Sequence, residues 1–144
     1  MLDAVGSVDR ELSERIGGAA WRVLWHVLEA EAAAGRSVLV EGNFARESGQ
    51  AELSRLAQLY DARALQVHCS APIEVLYRRY EQRIGERHPG HTDAERLPTI
   101  RQRLDPALYL LPLHGPLVSV DTTSFEAVDY QSIREAVRVH LGTA

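Results

Sequence analysis

Lysine is missing from this chain: all sixteen of its basic residues are arginine. No Schiff base can therefore form on a side chain, and no lysine can reach into a phosphate-binding loop. Cysteine is nearly missing too. The single one, Cys69, rules out an internal disulfide and fits a reducing compartment, so a cytoplasmic protein is expected. Long apolar runs are also lacking. None approaches the roughly 18 residues of a membrane span, and the N-terminus shows no basic segment followed by an apolar one, so neither a span nor a signal peptide is read. With a formal net charge of -4 there is no general reason to expect a nucleic-acid partner.

What remains is ordinary for a globular chain of 144 residues, 45% hydrophobic and 25% charged, long enough for one domain with a real core. Apolar positions Leu12, Ile16, Ala20, Val23, Leu24, Val27 and Leu28 recur at helical spacing between Asp9 and Ala34, after an irregular lead-in over residues 1–8. Gly17 and Gly18 weaken the middle, which leaves one bent helix or two. Trp21 and Trp25, four apart, read as core or interface.

Val38, Leu39 and Val40 then form a run too short for a helix core but sufficient for a strand buried on both faces. Its carboxyl end delivers Glu41, Gly42 and Asn43 to the edge where open α/β sheets hold ligands. Glu41 there can accept from a substrate hydroxyl or hold a metal-bound water; it can equally cap a neighbouring helix or pair with an arginine. A helix follows over about 49–61, with Leu53, Leu56, Ala57 and Tyr60 on one face. Residues 64–69 read as a second strand, and a helix opening at Pro72 carries Val75, Leu76, Tyr80 and Ile84 to about Glu86. Residues 87–98 look like an exposed excursion, 99–104 a short helix, and 105–116 an irregular stretch broken by Pro106, Pro112 and Pro116. Leu117–Val120 is a third short strand, ending in Asp121-Thr-Thr-Ser124. Asp129 is placed to cap a last helix running to Leu141. Strands alternating with helices imply a parallel α/β fold, with about three strands where four to six are usual.

The strongest chemical signal is the arginine row Arg79, Arg83 and Arg87, spaced by four and so on one face if the helix persists that far, with Arg78 beside it. Like charges at this spacing repel unless anions answer them. Guanidinium groups grip phosphate oxygens bidentately and can stabilise charge on a transferring phosphoryl group; the other reading is a solvated face with scattered salt bridges. The segment Arg87 to Asp93 looks like a mobile cover over that face. His68, Cys69, His88 and His91 make a poor metal site. Adjacent strand residues point to opposite faces, and the remaining spacing matches no closed Cys/His set.

Four stretches in order carry a family resemblance: Val38-Leu-Val-Glu-Gly-Asn-Phe44, Val67-His-Cys-Ser-Ala-Pro72, Tyr77-Arg-Arg-Tyr80 through Arg87-His-Pro-Gly-His91, and Val120-Asp-Thr-Thr123. Together they resemble P-loop kinase-like ATP-binding proteins of the AAA_33 or zeta-toxin-like group. The resemblance implies a three-layer α/β/α parallel sheet and a lid-like segment over about 77–105, with ATP and Mg²⁺ as cofactors. By position, Arg79, Arg83 and Arg87 would be lid arginines on the ATP phosphates. Glu41 would be the acidic residue on the substrate side with Asn43 beside it, and Asp121 and Thr122 would lie near the adenine.

The same resemblance calls for an opening strand, a GxxxxGK[ST] loop, a helix and a second strand, and this sequence contains none of them. The expectation is thus one truncated P-loop kinase-like domain over 1–144. It would be the C-terminal part of an ATP-dependent kinase acting on an unidentified small molecule, inactive alone. The alternatives are a non-catalytic binding or regulatory module, possible as a homodimer, and a different enzyme using Glu41 with arginines on an anionic substrate without nucleotide.

Overall fold

Asp9 sets the start of the first helix. In the computed structural model, which describes residues 9–88 and 91–142, its carboxylate accepts from the Leu12 amide at 2.8 Å and caps α1, Arg10–Ala33. The lead-in expected over residues 1–8, and Pro89-Gly90 of the expected cover, lie outside the described residues. α1 runs unbroken through Gly17-Gly18, and Trp21 and Trp25 stack one turn apart with ring centroids 5.9 Å apart. Gly35 takes φ 66°, a left-handed geometry that suits a residue without Cβ and ends the helix.

α2 spans Arg46–Leu59 and turns Leu56 inward. β1, Gln66–Ser70, pairs in parallel with β2, Leu117–Asp121, in the register Gln66↔Leu117 through Ser70↔Asp121. Between them lie α3, Ile73–Gln82, the single-turn α4, Asp93–Arg96, and 3₁₀ turns at Leu97–Arg103 and Pro106–Tyr109. α5, Tyr130–Leu141, closes the order; the Asp129 carboxylate accepts from the amides of Gln131 and Ser132 at 3.1 and 3.0 Å, as its N-cap position requires.

Among the described residues the sheet has two strands, not three. Val38–Glu41 has no ladder partner and stays irregular, and Leu39 is 96% exposed. The apolar run that reads as a doubly buried strand is thus local propensity without a neighbour. Strand identity depends on donors and acceptors supplied by an adjacent chain segment, which three valine and leucine side chains cannot provide.

Two compact units divide the chain: Met1–Val38 with Ile73–Asp105, and Leu39–Pro72 with Pro106–Ala144. In the first, Leu28 and Tyr80 are buried, while Val23 and Val27 leave an exposed apolar stripe on α1. In the second, Leu56, Ala71, Leu111 and Val120 are buried. No helix among the described residues is long and apolar enough to cross a membrane.

Candidate functional site

The arginine row does not share one helical face. α3 ends at Gln82, the amides of Ile84 and Glu86 tighten to acceptors three residues back, and Gly85 turns at φ 88°. Glycine adopts that angle at no steric cost, so the chain leaves the helix axis before Arg87 is reached. Arg79 stays in the last turn of α3 and is half-buried. Arg83 follows in the turn, its guanidinium 4.6 Å from the centre of the Tyr80 ring, a cation–π arrangement. Arg87 comes after the glycine and bonds within its own loop.

That loop is organised by Asp93. Tyr80, buried on α3, donates its hydroxyl to Asp93 Oδ1 at 3.1 Å, and Arg87 donates Nη1 to Asp93 Oδ2 at 3.3 Å. The other terminal nitrogen of Arg87 lies 2.9 Å from His91 Nδ1. The Asp93 side chain is only 9% exposed, so this carboxylate is withdrawn from water and answered by a phenol and a guanidinium. Buried Thr92 takes a left-handed φ of 49° just before α4, and Arg96 donates to its hydroxyl at 3.3 Å while also approaching Glu14 of α1 at 3.5 Å. Burial, then the Arg87 charge, pulls His91 below the usual imidazole value; burial, then the Asp93 bond, pushes Tyr80 above the usual phenol value. An imidazole beside a guanidinium must be neutral to accept a hydrogen bond from it.

In the second unit, Glu41 and Asn43 are both exposed on irregular backbone, not at the end of a strand. Asp121 is the last residue of β2, and Thr122 follows it directly. Thr122 donates both its amide and its hydroxyl to the Ser70 carbonyl, at 2.7 and 2.8 Å, and so ties together the carboxyl ends of the two parallel strands. Asp121 accepts from the Thr123 hydroxyl and amide at 2.5 and 2.8 Å, and these bonds hold its carboxyl below the usual range. That strand edge is the position where open parallel sheets place ligands.

Sequence reasoning passed over Asp93 and Tyr80 as site residues. Tyr80 reads as a core position, which it also is, and Asp93 lies six residues beyond Arg87 across a loop, a spacing with no rule to flag it. The described residues hold no group of three or more His, Cys, Asp or Glu side chains fit for a metal ion. The arginines are chemically suited to the phosphates of ATP, whereas no side-chain cage for Mg²⁺ accompanies them.

The family described as AAA domain, AAA_33, matches residues 4–107. Among solved structures, a putative kinase from Chloroflexus aurantiacus J-10-fl is similar, at 36% sequence identity and a TM-score of 0.80, over 97% of this chain and 77% of that one. No curated protein sequence matches the chain.

Proposed function

The chain belongs to the AAA_33 family of AAA domains and is a P-loop kinase-like protein, and on that premise we propose that it is the nucleotide-binding part of an enzyme that moves a phosphoryl group from ATP to a small molecule. The observation that carries this reading is the placement of Arg83 on the Tyr80 ring and of exposed Arg87 beside His91 and Asp93, with half-buried Arg79 in the last turn of α3. Phosphoryl transfer is mainly positioning and charge stabilisation, and guanidinium groups serve both. In this reading Arg79, Arg83 and Arg87 grip the phosphates, and Asp121 and Thr122 border the base. Glu41 accepts from the acceptor hydroxyl, with Asn43 helping to orient it. Mg²⁺, when bound with ATP, screens charge on the phosphate oxygens. A three-layer sheet and a cytoplasmic setting, where a lone thiol stays reduced, belong to the same proposal.

The 144 residues contain no lysine and no GxxxxGK[ST] loop, so the chain taken alone binds phosphate groups without turning ATP over. Calorimetric titration with ATP and with pyrophosphate tests this. Binding that weakens at least tenfold in the double variant Arg79→Gln/Arg83→Gln, with no ADP formed, is the expected result. Absence of binding, or binding indifferent to both arginines, overturns the reading.

A non-catalytic module that pairs with a second copy is the other reading, favoured by exposed Val23, Val27, Val38 and Leu39. Sedimentation equilibrium decides it: a dimer that Val23→Glu/Val27→Glu disperses supports pairing, and a monomer at all concentrations removes it.

A further inference from the structure

Arg87 is exposed enough to meet a ligand, yet both of its terminal nitrogens already have partners. Nη1 faces the two oxygens of Asp93 at 3.3 and 3.5 Å, and Nη2 faces the ring of His91 at 2.9 Å. Asp93 is in turn held from behind by the Tyr80 hydroxyl at 3.1 Å, with the Arg83 guanidinium on the face of that tyrosine. A carboxylate presents two acceptor oxygens to a guanidinium much as a phosphate does. The loop therefore carries its own stand-in for the anion that Arg87 is suited to bind.

We propose that Asp93 and His91 form a latch on Arg87, which a phosphate-bearing ligand must open by taking the guanidinium from them. The latch rests on the reading of Arg87 as a phosphate-binding residue, and it adds regulation of that site. Two things follow from the geometry. Asp93 is a competitor of the ligand, not its helper. Opening leaves Asp93 still bonded to Tyr80, so the carboxylate is not stranded when the arginine departs.

The test is titration of the 144-residue chain with pyrophosphate. Removing the competing charge by Asp93→Asn, which keeps the side chain's shape, is expected to tighten binding about tenfold, the equivalent of one charge-assisted hydrogen bond. Glu95→Gln removes the same charge from an exposed position two residues on and is expected to change affinity less than about twofold, as a screened surface charge does. In an Arg87→Gln background the gain from Asp93→Asn should vanish. Equal or weaker binding by Asp93→Asn, with the parent binding normally, overturns the latch and leaves the phosphate-binding reading intact.

If neither parent nor variants bind pyrophosphate, that reading falls, and the latch is judged on His91 alone. The charged and titratable groups that act on His91 are Arg87, Asp93, His88 and Arg83. Followed by NMR, the His91 midpoint should rise in Arg87→Gln and fall in Asp93→Asn. A midpoint that ignores both substitutions shows the contacts do not exist in solution and overturns the latch.

Discussion

The loop around Asp93 and the run Val38–Val40 are opposite solutions to the same problem of leaving a helix. From the end of α3 onward the chain brings Tyr80, Arg87, His91 and Asp93 together within fourteen residues, with their side chains bonded to one another. After α1 it leaves Leu39 almost wholly exposed and its backbone without a ladder. One segment holds its shape with side chains close in sequence, at low cost in loop closure. The other carries strand-forming residues whose stabilisation depends on a partner strand. The first should respond strongly to substitution, the second hardly at all.

The largest response is expected from Tyr80→Ala. It removes a buried ring and the hydroxyl that holds Asp93, and should lower stability by about 3–5 kcal/mol, as other aromatic truncations in cores do, measured by urea denaturation. A loss below about 1 kcal/mol would mean that the loop does not rest on α3.

A smaller effect is expected from pH. His91 has its affinity for protons lowered in the folded state, by burial first and then by Arg87. The unfolded chain therefore takes up the proton earlier as pH falls below about 6.5, so stability should rise with pH across that window and be lost as pH falls through the folded value. The parent should lose more of its urea midpoint between pH 7.5 and 5.5 than His91→Gln does. Equal losses would assign the dependence to the other histidines.

Least of all is expected from Leu39→Ser. With the side chain in water, the change in stability should stay within about 0.5 kcal/mol. A clear destabilisation would show that Leu39 is covered in solution, and the contrast between the two segments would dissolve.

The same contrast marks what the sequence could reveal. Asp129 reads correctly as a helix cap, and the strands around Val67 and Val118 lie within a residue or two of where the sequence puts them, because caps and short apolar stretches are local signals. Tyr80 reads correctly as an inward position on α3. The strand read at Val38–Val40 does not form because pairing is not local. The single-face row of arginines does not form because α3 ends at Gln82 and Gly85 turns the chain away before Arg87, where spacing alone would carry the helix on. Asp93 stayed hidden because a loop contact across six residues has no periodicity. Of the candidate site, the arginines were legible as a chemical type, and the carboxylate that occupies one of them was not.

Trp21 and Trp25 are the only tryptophans in the chain, and both stand on α1, one turn apart with their rings inclined by 28°. Tryptophan emission, excited where tyrosine does not absorb, therefore originates on that helix alone, and a stacked indole pair adds exciton coupling to the circular dichroism that vanishes when the helix frays. The sheet carries no tryptophan and adds nothing to that emission or to the exciton band. Cys69, the lone thiol, is exposed on β1 and gives it a separate voice: one maleimide dye there lets the sheet's melting be followed independently of α1, in the same sample and on the same denaturant axis.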